Sequence, residues 1–177
     1  MSSPALAHPA VRTATVASAS GQVVVGISDL KVVDDPNAML VTHSLGSCIG
    51  VAAHCPRSRV TALLHFQLPE ARMDPQRAVE HPLMFCDTGL DTMLRDMAAK
   101  GADVRRLIVR LAGGAKMFES GTLDIGRRNH QAARKQLWKH GLFVAAEDCG
   151  GNKARTLYLR AADGAVRLRI NGQVVAL

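Results

Sequence analysis

The residues with the clearest chemical potential lie between Thr42 and Pro69, in THSLGSCIGVAAHCPRSRVTALLHFQLP. Cys48 follows Leu45-Gly46-Ser47, a tight turn between two apolar runs. Such a turn lets backbone N–H groups around Ser47 and Cys48 converge beside the sulfur, where they can hold a developing oxyanion. His65 stands seventeen residues on, inside the next apolar run and close to Gln67. If the two runs are neighbouring antiparallel strands, Cys48 and His65 come within hydrogen-bond reach. An adjacent imidazolium can lower a thiol pKa from about 8.5 to roughly 3–4, giving a thiolate nucleophile at neutral pH.

The same residues fit two other roles when judged by spacing alone. Cysteine is among the most buried residue types, and a histidine in an apolar strand is often a hydrogen-bonded core residue. His43, Cys48, His54, Cys55, His65, His81 and Cys86 are also candidate metal ligands, but they lack zinc-finger spacing, and adjacent His54 and Cys55 must point to opposite strand faces. Cys55, Cys86 and Cys149 read as packing residues. The glycine-rich pieces at 111–116 and 150–152 match neither GxxxxGK[ST] nor GxGxxG, and read as bends where backbones approach each other.

Eight runs of strand character surround these residues: QVVVGI, AMLVTH (38–43), IGVAAHC (49–55), VTALLHF (60–66), VRRLIVRLA (104–112), FVAAED, TLYLR and VRLRI. The runs at 49–55 and 60–66 are almost continuously apolar, the mark of strands buried on both faces. The ADG turn at 162–164 joins the last two as a hairpin. A helix is expected to open at Pro82, with Met84, Leu90, Met93, Leu94 and Met97 on its core face and Gly101 at its end. A second runs from about Arg127 to His140, ending at Gly141. Eight strands with two helices and no regular βαβ alternation make an α+β domain.

A length of 177 residues fits one domain over 21–177 with an Ala/Ser-rich disordered tail at 1–20. No apolar run approaches the roughly 20 residues of a membrane helix. Four cysteines without CxxC pairing argue against a disulfide scaffold and for a reducing, cytoplasmic setting. The net charge of +7 is concentrated between Arg105 and Lys139, which holds nine basic residues and two acids, while the remainder sums to zero. That excess reads either as a surface steering an acidic partner or as a solvated helix face. The six aromatics do not interleave with the basic residues, so a base-stacking nucleic-acid platform is not expected.

T-x-x-L-G-S-C, an apolar strand, and A-x-x-H-F-x-L-P at this separation resemble the CheD family of chemoreceptor glutamine deamidases. The resemblance continues in order through Gly113-Gly114-Ala115 with Met117-Phe118, Ile125-Gly126 with Arg128-Asn129, and Glu147-Asp148 with Gly150-Gly151-Asn152, covering about residues 22–170. It implies a cysteine hydrolase that converts receptor glutamines to glutamates with release of ammonia, with no metal or organic cofactor. It also implies sheets stacked in a sandwich with helices outside, similar to bacterial toxin deamidases. By position, Cys48 is the nucleophile, His65 the base and acid, and Thr42 a third residue that positions the histidine. The implied partners are chemoreceptor cytoplasmic domains and a CheC-type response-regulator phosphatase. A chain that kept only the second partner would be a non-catalytic binding module. A monomer is expected, since no amphipathic stripe is left for a large self-interface. The chain departs from the family pattern at Lys153-Ala154-Arg155 in place of Gly-Arg, at Arg127 where an acid is common, and at His43 beside the threonine.

Overall fold

Every residue of Ile49–His54 and Thr61–Phe66 is buried, so both faces of this strand pair must be covered. The structure, a computed structural model, describes residues 21–116 and 124–177 and places the pair in the middle of three layers. Strands β1 (Gln22–Val24), β3 (Met39–Leu45), β8 (Arg155–Arg160), β9 (Val166–Ile170) and β10 (Gln173–Ala176) form one mixed sheet in the order β1-β3-β8-β9-β10. Strands β2 (Asp29–Val33), β5 (Thr61–Phe66), β4 (Ile49–His54), β6 (Ile108–Gly113) and β7 (Val144–Cys149) form the second, in that order. The third layer is helical, made chiefly of α2 (Cys86–Ala99) and α3 (Ile125–Lys139), with the short α1 (Pro75–Glu80) before them.

Strand alternation sorts the core into two clusters. Ala52 and Leu63 meet Leu40, Leu157 and Leu168 between the sheets. Val51, Leu64 and Phe66 point the other way, onto Leu90, Met93 and Met97 of α2 and Ala133 and Leu137 of α3. Truncating a large side chain in either cluster to alanine costs about 2–5 kcal/mol. Both helices end in the same way. The N–H of Gly101 donates to Ala98 and that of Ala102 to Met97, and Gly141 and Leu142 repeat the pattern on Trp138 and Leu137.

The α+β sandwich agrees with the sequence reading, and the β8–β9 hairpin forms as expected. Several boundaries differ. Pro82 opens only a 3₁₀ turn, Pro82–Met84, and α2 begins at Cys86. Buried Phe85 is extended and bridges to Leu68, while the Cys86 N–H donates to the Leu68 carbonyl, so the chain is held straight there. Val104–Arg106 is likewise a 3₁₀ turn, capped by the Asp103 carboxylate, and the strand starts at Ile108. Strands β2 and β10 are additional to the eight expected. Both lie at sheet edges. β2 is polar at alternate positions, Asp29 and Lys31, and only partly buried throughout, while β10 is a four-residue strand with three exposed positions. The basic segment is not one surface either. Arg105 and Arg106 sit on the 3₁₀ turn, Arg110 reaches the Gly164 carbonyl, and five of the others lie on α3. The tail at 1–20 and Met117-Phe118 lie outside the described residues.

Candidate active site

The site forms where the chain crosses from one sheet to the other. β3 belongs to the first sheet and β4 to the second, and only Gly46-Ser47-Cys48 connects them. The β3–β8 register slips between Thr42 and Leu45, and Ser44 there has φ 55. A bulge of this kind bends the strand and re-aims the residues after it. Thr42, before the bulge, faces the second sheet, and its hydroxyl lies 2.7 Å from Nδ1 of His65 on β5. The bond therefore bridges the two sheets, with Thr42 0% and His65 1% exposed.

Register places the sulfur on the same side. His65 is directly opposite Gly50 on β4. Cys48, two residues earlier, shares that face by strand alternation and packs at the edge of the inter-sheet core. On the other flank of β5, Asp29 of β2 is opposite His65. His65 Nε2 is buried and without a hydrogen-bond partner among the described residues. Nδ1 is thus occupied by threonine and the nitrogen a base would use is bare, so the Cys48–His65 hydrogen bond expected from the sequence does not form among the described residues. The strand crossing puts Cys48 on that face without bringing its sulfur to Nε2.

Burial pushes the His65 imidazole down to about 4, with the Asp29 carboxylate opposing the shift. Burial pushes the Cys48 thiol above its ordinary value, its own backbone N–H opposing. Both shifts favour the uncharged forms, thiol and imidazole, against the thiolate expected from the sequence. The seam between the sheets solvates neither charge.

Three consecutive carbonyls of the crossing segment are tied down. Ala115 N–H donates to Gly46 at 2.8 Å, Asn129 Nδ2 to Ser47 at 2.9 Å and Gly114 N–H to Cys48 at 2.8 Å. In a trans peptide the C=O and the following N–H point in opposite directions. Fixing the Gly46 and Ser47 carbonyls therefore turns the N–H groups of Ser47 and Cys48 away from α3 and β6, as an oxyanion site requires. Gly113 is indispensable to this approach, since a Cβ there would stand 2.2 Å from the Cys48 carbonyl oxygen. The Gly113-Gly114 bend is the close backbone approach its sequence implied.

Asn129 belongs to a sequence motif that by itself suggests no role for it. It is 0% exposed, and Nδ2 donates to both Ser47 O and, at 2.7 Å, Gln67 O, two residues past His65. One side chain on α3 thus holds the start of β4 to the end of β5. The sequence separation of 82 and 62 residues hides this clamp. Asp29 escapes a reading of the sequence because its strand, β2, does. Arg155, where the family pattern is broken, is buried and binds Asp148 through Nε at 2.9 Å, joining β8 to β7. Arg127 pairs with Asp124, and His43 is exposed.

The remaining ligand candidates are dispersed. His54 ends β4, Cys86 begins α2 and Cys55 is buried in the helix-side core. Among the described residues no three His, Cys, Asp or Glu side chains group as a metal would need. Cys55, Cys86 and Cys149 are unpaired and pack against the helix-side core, as expected for packing residues. No helix among the described residues is long and apolar enough to cross a membrane.

Comparison with known proteins adds what geometry does not. The family model described as CheD chemotactic sensory transduction matches residues 67–170. The chain is 41% identical over 153 residues to "Probable chemoreceptor glutamine deamidase CheD" of Solibacter usitatus, covering 86% of this chain and 90% of that one. It is 43% identical over 156 residues to "Probable chemoreceptor glutamine deamidase CheD 2" of Anaeromyxobacter dehalogenans, covering 88% and 98%. A protein with the first of these names in Thermococcus kodakarensis is 39% identical over 159 residues, covering 87% and 97%. Matches covering this much of 177 residues necessarily include the stretch from Thr42 to His65.

Proposed function

The chain belongs to the CheD family, and from that premise we propose that Cys48, His65 and Thr42 deamidate glutamine side chains of chemoreceptors. The activity is that of a protein-glutamine glutaminase in chemotaxis, with glutamate and ammonia as products. The observation that supports the assignment is the bond from Thr42 Oγ1 to His65 Nδ1, which leaves a bare Nε2 on the face of Cys48.

For Nε2 to act as a base, Nδ1 must carry the proton and donate it to the threonine oxygen. Cys48 Sγ then attacks the carboxamide carbon of the substrate glutamine as its proton passes to Nε2. The carbonyl oxygen becomes an oxyanion held by the N–H groups of Ser47 and Cys48. His65 returns the proton to the nitrogen, the C–N bond breaks and ammonia leaves a thioester. Water, giving a proton to Nε2, adds to that thioester. The C–S bond breaks, glutamate departs and the proton returns to sulfur. Thr42 offers a neutral oxygen, so the imidazolium is stabilised briefly, chiefly by the Asp29 carboxylate on the neighbouring strand. No step calls on a metal or an organic cofactor.

The proposal includes a cytoplasmic location, a monomeric chain and a CheC-type phosphatase as second partner. The deciding experiment incubates the protein with a receptor cytoplasmic fragment from the same cell, with Cys48→Ala as control. Glutamine-to-glutamate mass increments and ammonia in the wild type alone are the expected result. Identical behaviour of the two proteins overturns the catalytic assignment. Capture of a CheC-type protein by Cys48→Ala, measured by size-exclusion chromatography, tests the second partner and the monomer together.

A further inference from the structure

The reactive groups lie in a buried seam, with Thr42 and His65 almost fully enclosed, so a receptor segment carrying the target glutamine must rest on the surface beside it. Selection has to come from surface beside it, and α3 provides a continuous candidate. The helix starts at the site, where Asn129 holds Ser47 and Gln67, and then runs outward. Arg128, Gln131, Lys135 and Trp138 are spaced three or four residues apart and share its outer face. Two open clefts lie along that face and meet at Lys135. The nearer, of about 220 Å³, lies between this stripe and the Pro69–Arg72 segment that follows β5. The farther, of about 310 Å³, is lined by Lys135, Trp138, Phe143 and Val144.

Two features mark this trough as a contact surface. The only tryptophan of the chain is 67% exposed there and Phe143 is 74% exposed, although the whole sequence has six aromatics. Exposed tryptophan beside arginine is the composition in which binding energy concentrates. The charge has one dominant sign as well. Arg72, Arg128 and Lys135 line the nearer cleft. Glu70, the acid among its described residues, pairs with Arg72 and lies 3.9 Å from Lys135, so the lining keeps a net positive charge with Arg128 outside that pairing. From Arg128 to Trp138 the face extends about 15 Å, or three turns of a docked helix.

We propose that this trough docks an acidic, amphipathic helical segment of the receptor flanking the target glutamine. An apolar side chain of that segment rests on Trp138 and Phe143, and its carboxylates face Arg128 and Lys135. The inference rests on the deamidase reading for the identity of the partner, but its test does not depend on turnover.

The test measures binding of a receptor cytoplasmic fragment to Cys48→Ala protein, which cannot turn it over. The variants compared are Arg128→Gln with Lys135→Gln, then Trp138→Ala, each in that background. A charge-matched control removes Arg167 and Arg169 on the far sheet as Gln. The expected result is binding weakened about tenfold or more by each trough variant at low salt, with the control within about twofold. Restoring charge as Arg128→Lys with Lys135→Arg should recover most of the affinity. Equal binding by the trough variants, equal weakening by the control, or no binding by Cys48→Ala itself overturns the proposal. Thermal unfolding of each variant shows that the fold is retained, as expected for side chains that are exposed or only half-buried. Failure of the wild type to release ammonia counts against the catalytic reading alone, because the binding result stands without it.

Discussion

Two buried histidines are each held by a threonine hydroxyl, at opposite ends of β5. Thr42 and His65 join the two sheets at one end, while His54 of β4 and Thr61 of β5 pair 2.8 Å apart at the other. Thr61 and His65 are four residues apart on β5, so the two pairs are separated by about 13 Å. Burial lowers the pKa of both imidazoles, and one aspartate opposes it in each case, Asp29 at His65 and Asp163 at His54. The differences lie in what surrounds the rings. Gly164 sits against the His54 ring so closely that a Cβ would come within 2.6 Å of it, and Arg110 Nη1 holds the Gly164 carbonyl at 3.0 Å. The neighbouring Cys55 faces the helix-side core. His65 has a bare Nε2, and Cys48 shares its face. A histidine–threonine bond is therefore no catalytic signature in itself. What separates His65 is that its free Nε2 is buried and lies on the strand face that Cys48 shares.

The largest expected contrast comes from the rings themselves. Cys48→Ala should abolish deamidation, and His65→Ala should lower kcat roughly 10³-fold, within the range for loss of a general base. His54→Ala should leave kcat within a few-fold and instead lower stability by about 1–3 kcal/mol. Ammonia release and urea unfolding on the same preparations separate the two. If His54→Ala costs as much activity as His65→Ala, the division between reacting and packing ends fails.

Next in size are the hydroxyls. Thr42→Val removes the acceptor that fixes the His65 tautomer and should lower kcat roughly 10–100-fold, as loss of an orienting partner does elsewhere. Thr42→Ser, which keeps the oxygen, should recover most of it. Thr61→Val leaves His54 Nδ1 unpaired and should cost about 1–3 kcal/mol of stability with no change in kcat. A normal kcat in Thr42→Val would reduce that residue to packing and leave Cys48 and His65 as a dyad.

The clamps give a smaller contrast. Asn129→Ala frees Ser47 O and Gln67 O together, and even slight loosening of the Cys48 segment should lower kcat about tenfold. Arg110→Ala removes the corresponding tie on the Gly164 carbonyl and should change only unfolding. Freeing two carbonyls should also lower stability by about 1–3 kcal/mol. Slower alkylation of Cys48 in Asn129→Ala, measured well below its unfolding midpoint and absent from the comparably destabilised Thr61→Val, would therefore identify a positioning effect.

Much of this is legible in the sequence, for specific physical reasons. β4 and β5 announce themselves because both faces are buried, which leaves an unbroken apolar run. Cys48 and His65 come from that register, since a tight turn and an antiparallel return fix which residues face each other. The Thr42 role comes from family resemblance alone, because a bond between two sheets has no local spacing. Asn129 and Asp29 stay hidden for related reasons. One acts from a helix 82 residues from its acceptor, and the other sits on an edge strand whose polar face breaks the pattern. The basic segment misleads in another way. Its separation from Cys48 in sequence suggests distance, yet β6 lies against β4 and delivers α3 to the site. The neutral resting state is equally invisible, since it depends on how deeply the seam excludes water.

The aspartates provide the finest discrimination, through pH. His65 acts as a base only when neutral, and its pKa of about 4 places the acid limb of kcat near that pH. Asp29 favours the charged imidazolium, so Asp29→Asn should lower the pKa further. The acid limb then moves to lower pH, by less than about one unit, while a weaker base reduces the plateau a few-fold. Asp163→Asn should do the same to His54 without touching either feature of the kcat profile. Its signature is in stability. An imidazole kept neutral in the fold but free to protonate when unfolded makes the protein lose stability as pH falls from about 6.5 toward the folded pKa. Lowering the His54 pKa extends that loss to more acidic pH. A shift of the kcat limb in Asp163→Asn, or none in Asp29→Asn, would mean that the wrong histidine has been assigned to the reacting end of β5.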